Sequence, residues 1–204
     1  MLQCKFSTIW RLKLDIRKFF FRYRSFTPIP LILIALVWAR PSWGSLIGGA
    51  LLVFLGESLR FWGVAYAGPA TRTTKKVTCA RLVTEGPYAY VRNPLYIGNF
   101  FVGLGFLVMA WAWMPWMLFV FFILFAFQYS AIVHLEEEFL FQKFGKVYRT
   151  FQAQVPRWIP RCSPYESKRK AIRPDWKMAF RSERNTFQTI GIVFLCILLR
   201  WQVL

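Results

Sequence analysis

Histidine is almost missing from this 204-residue chain: His134 is the only one. A metal centre built from several histidines is thereby excluded, and so is any mechanism that needs two. Acids are scarce as well, 9 Asp and Glu against 27 Lys and Arg, which leaves a net charge of +18 and a pI near 10.4. Such an excess can signal nucleic acid or anionic lipid, but no nucleic-acid recognition motif accompanies it. Four cysteines (Cys4, Cys79, Cys162, Cys196) are scattered without a CxxC pair, so neither a disulfide framework nor a zinc site is expected. Residues 5–26, KFSTIWRLKLDIRKFFFRYRSF, lack the uninterrupted apolar centre of a cleaved signal peptide. The expectation is an interfacial amphipathic helix, with Trp10, Phe19 and Phe20 in the acyl boundary and Arg and Lys at the headgroups. A partly ordered basic tail is the alternative.

What the chain has in abundance is apolar surface: 56% hydrophobic and 20% aromatic residues, with a mean hydropathy of +0.37. That is too apolar for an ordinary soluble domain and predicts membrane spans. The first runs from Pro28 to about Arg40 and is short for a bilayer. The second covers about Ser45 to Tyr66, the third Pro94 to about Trp111, and the fourth Trp116 to about His134. The third and fourth form an antiparallel hairpin across a tight turn at 112–115. A fifth apolar run, Thr186 to Leu204, spans or lies along the membrane. The expected architecture is an all-α polytopic membrane bundle of about five transmembrane helices, preceded by an interfacial segment at 1–27. A core at 28–160 is followed by a basic segment and apolar helix at 161–204. Lys and Arg crowd three stretches: the N-terminal segment, the loop 67–93 (Arg72, Lys75, Lys76, Arg81, Arg92) and 136–183. The positive-inside bias puts all three on the cytoplasmic side, in the cell membrane of a bacterium or the endoplasmic reticulum of a eukaryote. The basic run SKRKAIRPDWKMAFRSERN then suits anionic lipid.

Two stretches on that side are too polar for their position. GPYAYVRNPLYIG, residues 86–98, precedes the third span, and HLEEEFLFQKFGKVYRTFQAQVPRWIP continues from the fourth. His134, Glu137 and Phe141 share one helical face, with Glu136, Leu140 and Phe144 as an adjacent stripe. Three successive glutamates in so acid-poor a chain either bind something cationic or pair with Lys143, Lys146 and Arg149. Glu57 and Arg60, three apart in the second span, form either an intramembrane functional site or a helix-packing ion pair.

The patterns GPYxxVRNPxYxG and, after a hairpin, EExxLxxxFGxxYxxF with VPRxIP resemble the isoprenylcysteine carboxyl methyltransferase and phospholipid methyltransferase superfamily. The matching positions are Gly86, Pro87, Tyr88, Arg92, Asn93, Pro94, Tyr96 and Gly98, then Glu136, Glu137, Leu140, Phe144, Gly145, Tyr148, Val155, Pro156, Arg157, Ile159 and Pro160. The resemblance covers roughly residues 28–160. Gly103-Leu104-Gly105 is similar to a GxG of the phospholipid enzymes. Isoprenylcysteine enzymes usually carry His where this chain has Asn93, and the run after 160 does not match. The resemblance implies an integral membrane enzyme using S-adenosylmethionine, with the cofactor pocket at the cytosolic edge of the bundle.

The residues suit that cofactor chemically. Arg92 offers a guanidinium fork for a carboxylate. Pro94 pre-sets a helix start whose free N–H groups could also bind it. Glu136, Glu137 and the Asn93 amide are acceptors for an ammonium or ribose. Tyr88, Tyr90 and Tyr96 present faces to a sulfonium. Gly98, Gly103 and Gly105 permit close approach of a ligand or, equally, of another helix. Arg157 either caps the site or meets a headgroup, and His134 is either structural or directed at the motif. The expected catalytic set is Arg92, Glu137 and Arg157. The expected cofactor set is Tyr88, Arg92, Asn93, Pro94, Tyr96, Gly98, Gly103, Gly105, His134, Glu136 and Glu137, lining one cavity. The acceptor is expected to be lipophilic: a carboxylate, amine or thiol on an apolar anchor. The rival readings are a membrane reductase of the sterol-reductase type using NADPH and a non-catalytic transporter or scaffold.

Overall fold

The computed structural model describes residues 16–68, 81–166 and 173–203, and among these there is helix and no strand. Residues 16–23 are helical. Then come α1 (Ile29–Val37), α2 (Trp43–Ala67), a 3-10 turn (Gly86–Ala89), α3 (Pro94–Ala110), α4 (Trp116–Phe144), α5 (Lys146–Gln154) and α6 (Trp176–Val203). Three of the described helices, α2, α4 and α6, are long and apolar enough to cross a membrane; α3 is a shorter apolar helix of 17 residues, and α1 has 9. Lys75, Lys76 and Lys168 to Lys170, together with Trp10, lie outside the described residues.

Two of the expected boundaries move. The fourth span does not end at His134: α4 continues to Phe144 through all three glutamates, because nothing in HLEEEFLFQKF breaks a helix. It stops at Gly145, whose φ of +51° and ψ of −124° suit only glycine. The last helix begins at Trp176, ten residues before Thr186, after Asp175 accepts a bond from the Met178 N–H at 2.9 Å. Residues 176–185, read from sequence as part of a lipid-bound tail, are therefore the first turns of α6. Ala179 and Glu183 are buried there, and Trp176 stacks on Phe61 of α2.

Helices α2 and α3 run antiparallel along a seam of glycines. A Cβ on Gly49 would come 2.4 Å from the Gly105 carbonyl oxygen, and one on Gly105 would come 2.6 Å from that of Gly49. One turn-pair along, Gly56 and Gly98 repeat the relation at 2.6 and 2.7 Å. The glycines recur at seven-residue spacing on both helices, so one face of each helix meets the other backbone to backbone. Helix α4 returns antiparallel to α3, and α6 lies antiparallel to α2, from the Asp175 N–H on the Ala65 carbonyl to Trp43 against Trp201. The apolar core joins α2, α3, α4 and α6 through Leu46, Val53, Phe106, Leu107, Met109, Phe121, Val193 and Ile197. Segment 16–28, residues 86–93 and the stretches 145–166 and 173–175 consequently gather at one end of the bundle.

Replacing Gly56 or Gly105 by Ala drives a methyl group into backbone, a displacement costing about 1–3 kcal/mol. Gly48→Ala meets nothing within 4 Å and gains up to about 1 kcal/mol from helix propensity. Thermal unfolding of the detergent-solubilised variants is expected to lower the midpoint for the first two and hold or raise it for the third.

Candidate functional site

The two polar motifs are joined through their backbones. The Arg92 N–H donates to the Pro156 carbonyl at 2.9 Å, Arg161 N–H to Tyr90 at 3.0 Å, and Tyr165 N–H to Ala89 at 2.9 Å. The Asn93 amide adds a bond to the Arg157 carbonyl at 3.2 Å. Gly86 starts the loop with φ +60°, and a Cβ there would strike the Tyr66 ring. Both prolines of the loop, Pro87 and Pro94, are fully buried. Backbone bonds, with the Asn93 side chain, thus hold VPRWIPRCSPY against YVRNP.

Glu137 is the hub. It is buried on α4 and accepts both arms of the Arg157 fork, Nε at 3.1 Å and Nη2 beside it. Arg92 Nη2 stands 3.5 Å from the same carboxylate. Arg92 Nε and Nη1 are buried without a hydrogen-bond partner. A buried donor left unmade costs about 1–3 kcal/mol, so this guanidinium is only partly spent on protein groups. Below it, Gly145 turns the chain into α5 and brings the buried Tyr148 beneath Arg92, Glu137 and Arg157. Burial pushes the Tyr148 phenol up, with the Glu137 charge adding to the shift, so it remains a neutral hydroxyl at any working pH. Glu136, one residue away, faces differently. It accepts from the Tyr96 hydroxyl and lies 3.5 Å from Arg24.

A cavity of about 760 Å³ connects these groups. Arg92, Asn93, Pro94, Tyr88, Tyr96, Gly103, Glu136, Glu137 and Tyr148 line it. Its wall follows one face of α3 from Pro94 to Ala110, about 24 Å at 1.5 Å per residue. The far part is apolar, with Phe106, Leu107, Phe121, Val193 and Ile197. Part-way along lies a second polar node that the motifs did not announce. Arg60 donates to Glu57 at 3.1 Å, Glu183 at 2.8 Å, Thr186 at 3.4 Å and the Asn99 carbonyl oxygen. Asn99 in turn donates to the Tyr129 hydroxyl at 3.1 Å. The Glu57–Arg60 pair expected from spacing is real, and its third member, Glu183, comes from the supposed tail. Polar residues inside apolar runs, Asn99 and the Gln128-Tyr129 pair, were the available signal.

Several predicted site residues lie elsewhere. Gly98 and Gly105 belong to the seam with α2, not to the cavity wall; of the three glycines only Gly103 lines it, against Phe121. His134 is exposed and off the cavity, because the inward stripe of α4 runs Ile132, Val133, Glu136, Glu137 and Leu140. Arg157 is not a lining residue; it acts on Glu137. The helix-start amides are not all open either: the Tyr96 and Ile97 N–H groups both donate to the Asn93 carbonyl at 3.2 Å. Among the described residues no three His, Cys, Asp or Glu side chains gather as metal ligands.

A family model for phospholipid methyltransferases matches residues 45–147, about half of the chain. The chain belongs to that family. The match covers the glycine seam, the loop motif, the hairpin and the glutamates, and it leaves out segment 16–28, α6 and VPRWIP. Among curated proteins, the chain is similar to Protein-S-isoprenylcysteine O-methyltransferase of Schizosaccharomyces pombe, 34% identical over 109 residues, covering 52% of this chain and 45% of that protein. The corresponding enzyme of Tribolium castaneum is 30% identical over 131 residues, 58% of this chain and 42% of its own. Nickel-cobalt-cadmium resistance protein NccN of Alcaligenes xylosoxydans xylosoxydans is 29% identical over 148 residues, 68% and 64%. The chain therefore spans about two-fifths to two-thirds of the length of these relatives. No solved structure matches it significantly.

The Glu137 hub sets an energetic expectation. Breaking a buried, hydrogen-bonded ion pair costs roughly 3–5 kcal/mol, whereas the half-exposed Arg17–Glu138 pair belongs to a class worth about 0–1 kcal/mol. Glu137→Gln is expected to lower the unfolding midpoint clearly, and Glu138→Gln to leave it within error of the parent, in the same detergent melt.

Proposed function

We propose that the chain is an integral membrane methyltransferase that uses S-adenosylmethionine and methylates a lipid-like acceptor. The observation that carries this reading is the buried Arg92 fork, two of whose nitrogens lack a hydrogen-bond partner, in a cavity lined by three carboxylates and several tyrosines. A guanidinium in that state suits the carboxylate of an amino-acid-bearing cofactor. When bound, S-adenosylmethionine supplies an electrophilic methyl group on a sulfonium.

The residues divide the remaining work. Arg92 binds the cofactor carboxylate through Nε and Nη1, while Glu137 and Arg157 hold its guanidinium plane fixed. With both carboxylate oxygens occupied by arginines, Glu137 orients rather than binds. Glu136 is the better acceptor for a ligand ammonium or ribose hydroxyl. The rings of Tyr88 and Tyr96 offer electron-rich faces to a cation. Tyr129 stacks on Phe125 with centroids 4.1 Å apart and continues the aromatic wall inward. Methyl transfer to an ionised carboxylate or a thiolate needs in-line approach and little proton transfer, so positioning supplies most of the rate. Asn93, used as a backbone tie, leaves no histidine for acid–base work there. The apolar reach of the cavity along α3 suits the anchor of a prenylcysteine-like or phospholipid acceptor, arriving from the bilayer. We place the cavity mouth on the cytoplasmic face from the Lys and Arg bias, with the basic segments against anionic lipid.

Calorimetric titration of the detergent-solubilised chain is expected to detect S-adenosylmethionine and S-adenosylhomocysteine and no NADPH. Radiolabelled methyl donor is expected to label either N-acetyl-S-farnesylcysteine or phosphatidylethanolamine vesicles. Arg92→Lys, which cannot form the planar fork, is expected to weaken S-adenosylhomocysteine at least about tenfold, roughly 1.4 kcal/mol. Binding of NADPH with neither methyl-donor ligand bound would overturn the methyltransferase reading.

A further inference from the structure

Segment 16–28 lies outside the family match and outside both motifs, and its sequence suggested a helix resting on lipid. Its inner face does something else. Phe21 is 5% exposed and packs with Tyr96, Ile132 and Val133. Phe20 meets Phe127 edge to face at 5.5 Å, and Arg17 pairs with Glu138 at 2.6 Å. Phe19 alone of the three expected lipid-facing aromatics is described and strongly exposed. The segment is therefore docked on α4 by Arg17, Phe20 and Phe21.

Arg24 is turned inward. Its guanidinium sits 4.6 Å above the Phe21 ring, and Nη1 lies 3.4 Å from the Tyr96 hydroxyl oxygen and 3.5 Å from Glu136 Oε1. Tyr96 donates to that same Glu136 oxygen. Arg24, Tyr96 and Glu136 all line the cavity, as do Phe21, Thr27 and Pro28. A surface ion pair would look like Arg17–Glu138, whose glutamate side chain is 51% exposed; the Arg24 and Glu136 side chains are 14% and 24% exposed. The charged groups facing Glu136 are Arg24 from the segment and Glu137 from its own helix, with the phenols of Tyr96 from α3 and Tyr129 from α4.

We propose that segment 16–28 is a working wall of the site and that Arg24 is a positioning residue, holding Glu136 and Tyr96 in the orientation that methyl transfer uses. The proposal rests on the methyltransferase reading. A carboxylate at the end of a helical side chain has several rotamers, and two donors converging on one of its oxygens select one of them. Arg92 holds the cofactor carboxylate independently, so removing Arg24 disturbs alignment more than cofactor binding.

The test uses the full chain in phospholipid nanodiscs, with Arg24→Gln, Arg24→Lys and Lys18→Gln, the last an exposed charge of the same segment. With whichever of N-acetyl-S-farnesylcysteine and phosphatidylethanolamine takes label, Arg24→Gln is expected to lower kcat at least about tenfold. S-adenosylhomocysteine affinity is expected to stay within about twofold, Arg24→Lys to recover most of kcat, and Lys18→Gln to match the parent. Hydrogen exchange across 16–28 is expected to be unchanged in Arg24→Gln. Full activity of Arg24→Gln, no recovery with lysine, or loss of activity only together with faster exchange would each overturn the proposal. The contact itself is read without turnover from the Glu136 carboxylate infrared band, isolated by difference against Glu136→Gln. Arg24→Gln is expected to shift that band, and an unshifted band overturns the proposal. A parent chain that binds no methyl donor overturns the proposed function instead, and the infrared arm still decides the role of Arg24.

Discussion

Everything in this bundle depends on two backbones being allowed to touch. Gly49 and Gly56 on α2 meet Gly105 and Gly98 on α3 with no side chain between them, and in lipid such close packing replaces the hydrophobic drive that water would supply. Because one face of α3 is consumed by the seam, its other face is committed to the cavity: Tyr96, Asn99, Gly103, Phe106 and Ala110. The same seam sets the depth at which Arg60, on α2, meets Asn99, on α3. An ion pair inside a membrane span is tolerable only when every charge is met. Antiparallel register, and not Arg60 alone, brings Asn99 and Glu183 to it.

At the mouth, the controlling constraint changes from packing to charge. Glu137 is placed by an unbroken α4, while Arg92 and Arg157 come from loops that have no regular structure to hold them. Those loops hold each other through the Arg92–Pro156, Arg161–Tyr90 and Tyr165–Ala89 backbone bonds. The arrangement makes one carboxylate answer for two arginines, with the more exposed one fully engaged and the more buried one incompletely so. A site that is to receive an anion has this signature: a guanidinium whose direction is fixed by protein, and whose remaining donors are kept from water.

The helices were legible because apolar runs set off by Pro28, Pro94 and Pro115 punctuate the chain, although the end of α4 at Gly145 was not legible. The union of the two motifs was legible as well, since a hairpin of α3 and α4 must bring residue 92 and residue 137 to the same end. What failed to show was anything decided by facing. The glycines at 98, 103 and 105 look alike in sequence, yet only contact with α2 separates two of them from the third. His134 shares a helical stripe with Glu137 on paper, but the bundle's other helices turn that stripe so that Glu136 and Glu137 go inward and His134 goes out. Arg24 and Glu183 were invisible for a different reason. Each sits in a basic stretch whose composition argues for lipid, and a composition argument averages over the one side chain that points the other way.

The scarcity of acids makes these assignments mutually restrictive. With 9 acids against 27 cations, nearly every acidic side chain described has an identified contact. Glu57 and Glu183 meet Arg60, Glu136 meets Tyr96 and Arg24, Glu137 meets Arg92 and Arg157, and Glu138 meets Arg17. Glu85 and Asp175 cap backbone N–H groups. Four of these carboxylates, Glu57, Glu136, Glu137 and Glu183, fix three of the arginines that line one cavity, Arg24, Arg60 and Arg92. Among the described residues, Arg17, Lys18, Arg22, Arg81, Arg149 and Arg161 stand on the segments at the Glu137 end of the bundle. A chain organised this way keeps Glu57, Glu136, Glu137 and Glu183 as internal fixtures. A carboxylate-bearing ligand would meet Arg92 where the protein's own supply of negative charge has already been used.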